Sequence, residues 1–62
     1  MTMTSKEMVN YLTKNGFEKV RQNGSHLFMR NYTTRRCTTV PCHAKDLKKG
    51  TEAKILKLAG LK

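Results

Sequence analysis

Sixty-two residues leave room for one domain, spanning 1–62, with a single thin hydrophobic core, which excludes a large substrate pocket. Thirteen Lys and Arg stand against four Asp and Glu, a formal charge of +9, and that surplus points to a polyanion, nucleic acid first, as the thing bound. The longest apolar run is Leu27-Phe28-Met29 and no long basic amphipathic helix can be drawn, so no membrane role is expected.

Taken in chain order, the N-terminal stretch lacks the apolar core of a secretory signal, so a cytoplasmic location is expected. Thr4-Ser5-Lys6-Glu7 has the form of a capping box, in which Thr4 and Glu7 satisfy each other's amides at a helix start. Met8, Tyr11, Leu12 and Asn15 follow at spacings of three and four, Val9 widens the stripe, and Gly16 stands where a left-handed cap is expected. The first helix is therefore predicted over residues 5–15. Phe17 to Gln22 reads as a first strand, and Asn23-Gly24 as the tight turn that ends it.

Ser25 to Asn31 reads as the second strand. Its period of two turns Leu27 and Met29 to one face and His26, Phe28 and Arg30 to the other. Tyr32 to Arg36 is a polar, basic connection, and Cys37 to Val40 a short third strand closed by Pro41. Residues 41–50 read as irregular, anchored by Leu47. A last helix is expected with Thr51 as N-cap, Glu52 in the first turn, Ile55, Leu58 and Ala59 on one face, Leu56 beside them and Gly60 as the stop. The order is α-β-β-β-α, an α+β fold. A three-stranded antiparallel meander with two helices on one face buries Leu12, Leu27, Met29, Val40, Ile55 and Leu58 together.

On that architecture His26 stands on the open face of the sheet among cations. An ordinary imidazole titrates at ~6.5 and passes protons near neutral pH. RNA asks for little more, since a 2′-hydroxyl lies beside each phosphodiester: a base on that hydroxyl, or an acid on the leaving 5′-oxygen, with Arg or Lys around the phosphorane, makes an endoribonuclease. From spacing alone a half-exposed strand histidine without a task is the reading favoured over catalysis. His43, after Pro41-Cys42, is a second acid-base candidate or a phosphate contact, or a loop histidine capping backbone groups.

Cys37 and Cys42 on one extended strand at ~3.3 Å per residue stand roughly 16 Å apart, beyond the ~7 Å reach of a disulfide, so free thiols are expected. They lack the paired spacing of a structural zinc site, and neither metal nor cofactor is expected. The cations gather at Arg30, Arg35 and Arg36 and at Lys45, Lys48 and Lys49. With Arg21 they are candidate contacts to an RNA backbone, and Phe28 is a candidate stacking platform for a base.

These residues carry a family likeness over nearly the whole chain. Ser5 to Leu12, Gly16-Phe17, Gly24-Ser25-His26 with Arg30 four residues on, Val40 to His43, Leu47 to Thr51 and Ile55 to Leu61 follow one another as in the HicA toxins of toxin–antitoxin modules, also called YcfA-like proteins, which the chain resembles. The resemblance implies a fold like a double-stranded-RNA-binding domain and a metal-independent mRNA interferase. It makes His26 the catalytic residue, with Gly24, Ser25 and Arg30 in support, and a HicB-type antitoxin as the partner that covers it. The chain departs from the family's common pattern at Tyr32 to Arg36, which lacks the usual Asp-Gly style of turn. A non-catalytic RNA-binding module is the alternative reading.

Overall fold

The computed structural model describes residues 2–43 and 45–61. The elements are α1 (Ser5–Lys14), β1 (Glu18–Asn23), β2 (His26–Asn31), β3 (Arg36–Pro41) and α2 (Lys49–Ala59). The strands form one antiparallel sheet in the order β1-β2-β3. The predicted α-β-β-β-α order and α+β class are observed.

α1 opens with the complete capping box: the Glu7 amide donates to Thr4 Oγ1 at 3.1 Å and the Thr4 amide to Glu7 Oε1 at 2.9 Å. It closes one residue earlier than expected, at Lys14, and Gly16 takes φ +93° beyond it. The Phe17 amide then reaches back to the Leu12 carbonyl at 2.9 Å and that of Gly16 to Thr13 at 3.1 Å, the paired bonds of a Schellman stop. α2 ends the same way, Leu61 donating to Leu56 and Gly60 to Lys57. The reversal drops Phe17 into the core, so it precedes β1 rather than starting it.

Alternation along β2 holds: Leu27 and Met29 are buried, His26 and Arg30 exposed and Phe28 half-buried. Met8 and Leu12 of α1 and Ile55, Leu56 and Ala59 of α2 meet Leu27, Met29 and Val40 in one cluster, which puts both helices on the same face of the sheet. Leu47 anchors the irregular segment as predicted, at 2% exposure.

Three further details differ from the sequence reading. Leu58 is 48% exposed and Leu56 is buried in its stead. At 100° per residue Leu56 and Ala59 fall to one side of Ile55 and Leu58 to the other, and the sheet takes the first side. α2 starts at Lys49 with Lys48 as an N-cap that makes no side-chain bond, so Thr51 lies inside the first turn and is not the cap. Long-range bonds fix this start: Met3 donates to Glu52 Oε2 at 2.6 Å and Leu47 to the Met3 carbonyl at 2.8 Å. The first hairpin turns on Gly24-Ser25, with Asn23 the last residue of β1 and paired to His26. Gly24 has φ +62° and Ser25 is not in the positive-φ region, so only the first loop residue needs glycine's freedom, as in a type II′ turn.

The second connection solves its missing glycine differently. Asn31 and Arg36 pair across a four-residue loop, Tyr32 to Arg35, and Arg35 sits at φ +61°, in the left-handed region that glycine ordinarily fills. Asn31 holds the loop. Its buried side chain accepts the Thr33 and Thr34 amides at 2.9 and 3.1 Å and donates to the Asn15 carbonyl at 3.0 Å, tying the loop to the end of α1.

Candidate functional site

The site grows from the first residue of β2. His26 is held between Asn23 of β1 and Pro41 of β3. Below it the Cys42 amide donates to the Ser25 carbonyl at 2.6 Å, which continues the β2–β3 ladder past the last named pair and pins the hairpin turn. Since that bond makes Ser25 and Cys42 a hydrogen-bonded pair, the nitrogen of Pro41 faces the free edge of the sheet, where a missing N–H leaves no ladder bond unmade. Gln22 Nε2 donates to the Gly24 carbonyl at 3.1 Å and secures the other side of the turn. Gly24 and Ser25 thus serve His26 through backbone geometry. The imidazole itself is exposed and makes no hydrogen bond among the described residues.

Along the open face, Phe28 lies between Arg21 and Thr39, and Arg30 between Glu18 and Cys37. Arg30 is stacked over the Tyr32 ring at 5.3 Å, a cation–π contact that holds its guanidinium toward the loop end of the sheet. His26 and Phe28 form a ridge between two open hollows. One, of about 550 Å³, is lined by Val20, Arg21, Asn23, His26, Phe28 and Thr39. The other, of about 500 Å³, follows the outer edge of β3, with Thr51, Lys54 and Leu58 of α2 as its far wall.

The predicted contacts divide between the two ends of β2. Pro41 stands opposite His26, so the chain leaves β3 at the histidine end, and His43, Lys45, Lys48 and Lys49 follow on its way to the start of α2, whose Thr51 and Lys54 share a hollow with His26. His43 directly follows the Cys42 amide that holds Ser25, and its side chain is exposed. Arg35 and Arg36 belong to the opposite end, about 16 Å along the strand at ~3.3 Å per residue. Arg36 is further occupied: its guanidinium lies against Gly60, close enough that a Cβ there would stand 2.6 Å from its Cδ and Nε, at the negative end of the α2 dipole. The structure therefore brings Gly24, Ser25, Arg21 and Phe28 to His26 and does not bring Arg35 or Arg36.

Asn23, Thr39, Thr51 and Lys54 were not legible as site residues. Asn23 read as half of a turn, and Thr39 read only as a β-branched strand former. Thr51 and Lys54 become neighbours of the site only once α2 is laid along β3. Among the acids, Glu7 and Glu52 are engaged with backbone amides, and Glu18 stands cross-strand from Arg30 at the far end. Cys37 is exposed on the open face, and Cys42 is part-buried against the core; both are free thiols. No helix among the described residues is long and apolar enough to cross a membrane.

The family model described as the HicA toxin of bacterial toxin–antitoxin matches residues 5–61, from the first residue of α1 to the residue after Gly60. The chain belongs to the HicA toxin family. Membership makes it a toxin of the toxin–antitoxin type and implies an antitoxin partner. No curated protein matches the chain. The HicA match spans both helices, the Gly24-Ser25-His26 turn and the whole sheet, so every element that shapes the open face lies within it.

Proposed function

We propose that this HicA-family toxin is a metal-independent endoribonuclease that cuts mRNA in the cytoplasm, with His26 as its catalytic residue, and that a HicB-type antitoxin restrains it by covering that histidine. The observation that carries the reading is the free, exposed imidazole of His26 on a strand paired on both sides, with Arg21 and Lys54 in the hollows that flank it. An unpaired imidazole is available as general base to the 2′-hydroxyl or as general acid to the 5′-oxygen. RNA supplies the nucleophile itself, so the protein needs only to orient the sugar-phosphate and stabilise charge on the phosphorane.

Arg21, cross-strand from Phe28, is the nearest paired arginine to that task, and Lys54, facing His26 across the second hollow, is a further cation. Lys45, Lys48, Lys49 and His43 gather the backbone at the histidine end, while Arg30, Arg35 and Arg36 extend the positive field toward the other. Gly24 and Ser25 keep the imidazole at the mouth of the turn. A rigid hairpin suits this role because misplacement of about 1 Å costs on the order of a hundredfold in rate.

The reading is tested in cells. Expression of the chain without its partner should arrest growth, and His26→Ala should relieve the arrest at equal protein level. Undiminished toxicity of the folded mutant would sink the assignment. If the mutant still bound RNA and the wild type left it whole, the face would be a clamp for RNA, the non-catalytic alternative.

A further inference from the structure

β1 contains one irregularity, and it lies beside the site. Lys19 pairs with Met29 and Arg21 with Phe28, so Val20 is an extra residue, a β-bulge. Without it, strict alternation would put Val20 opposite Phe28 and turn Arg21 toward the core face with Leu27. The bulge instead leaves Val20 and Arg21 side by side at the same hollow, with Val20 42% exposed. A half-exposed valine beside a half-buried phenylalanine is an apolar cleft with no internal partner. Bulges that re-aim side chains next to active sites are a recurring device.

The chemistry of the cleft is specific. Phe28 and Val20 offer flat and apolar walls, Asn23 an amide with both donors and an acceptor, and Arg21 a planar fork of donors. Its volume, about 550 Å³, falls within the ~300–1,000 Å³ range of small-ligand sites. The hollow on the other side of the ridge has a lysine but neither an amide side chain nor an arginine. We infer that the bulge-built hollow is a nucleobase subsite selective for purines, with the base stacked on Phe28 against Val20 and its edge read by Asn23 or Arg21. An amide pairs with adjacent donor and acceptor atoms, as adenine presents at N6 and N7, and a guanidinium with paired acceptors, as guanine presents at O6 and N7. Pyrimidines offer less ring to stack and lack the N7 acceptor on which both of these pairings rest. The inference rests on the reading that RNA is the substrate, and it adds which side of His26 the base occupies.

The test uses uncuttable RNA. Pentamers with the sequence UUXUU, fully 2′-O-methylated and varied only at the central base, lack the attacking hydroxyl, so their binding is read whether or not the protein cleaves. Titrated into the ¹⁵N-labelled chain, the adenine and guanine pentamers should bind at least fivefold tighter than the pyrimidine ones. Amide shifts should concentrate at Val20, Arg21, Asn23, Phe28 and Thr39. Asn23→Ala should erase the preference for adenine, and Phe28→Ala should weaken all four by about five- to a hundredfold. Equal affinities for the four pentamers, shifts centred on Lys48 and Lys49, or an adenine preference that survives in Asn23→Ala would overturn the subsite. Failure of the wild type to cut ordinary RNA would overturn the ribonuclease reading alone, and the titration would still decide the subsite.

Discussion

The two faces of the sheet are made from the same strands, yet one carries the stability and the other the candidate chemistry. On the helix-covered face Leu27, Met29, Thr38 and Val40 are buried, and Thr38 Oγ1 donates to the Ile55 carbonyl at 3.4 Å, fastening β3 to α2. On the open face His26, Arg30, Cys37 and Thr39 are exposed and Phe28 half-buried. The difference teaches that in so small a chain function has to be placed where the core does not need it. A period of two provides that separation at no cost in length. The division predicts that mutations on one face unfold the protein and mutations on the other disarm it.

The largest effect that would break this division belongs to His26→Ala. Loss of a general acid or base costs typically 10²–10⁴-fold in rate, and the exposed position should leave the unfolding midpoint unchanged. Cleavage kinetics beside a thermal melt check both halves, and a large loss of stability would place His26 with the core. Met29→Ala, three positions away on the buried face, is expected to cost about 2–5 kcal/mol, enough to unfold much of a marginal 62-residue chain in a urea titration. Asn31→Ala removes two accepted amides and the bond to Asn15, with an expected loss of about 1–3 kcal/mol. It should not change cleavage by the protein that remains folded.

The smallest effect sharpens the comparison from the other direction. Arg35→Gly relieves the left-handed backbone at the far loop and should raise stability by about 1 kcal/mol, read as a shift in urea midpoint. Its effect on RNA affinity should be slight beside that of Arg21→Ala, because Arg21 lines the hollow next to His26 and Arg35 does not.

What the sequence made legible follows from how local the causes are. The capping box and the alternation of β2 each act within a few residues, and each is where the sequence puts it; the first turn keeps its glycine but falls one residue later, on Gly24-Ser25. The bulge at Val20 has no local mark, since it is defined by what β2 pairs with. The early start of α2 depends on Met3, at the other end of the chain, and the burial of Leu56 over Leu58 depends on which flank of the helix meets β3. Asn31 read as the polar end of a strand, yet it substitutes for turn chemistry that Tyr32 to Arg36 lacks. Of the site, the histidine and its turn were visible in the residues, whereas the hollow around them required the register of three strands.

The most direct measurement is cleavage of a labelled single-stranded RNA by the purified chain in EDTA, beside His26→Ala protein with an unchanged circular dichroism spectrum. The account predicts cutting by the wild type and none by the mutant. Equal cutting by both proteins, or intact RNA with both, would contradict it.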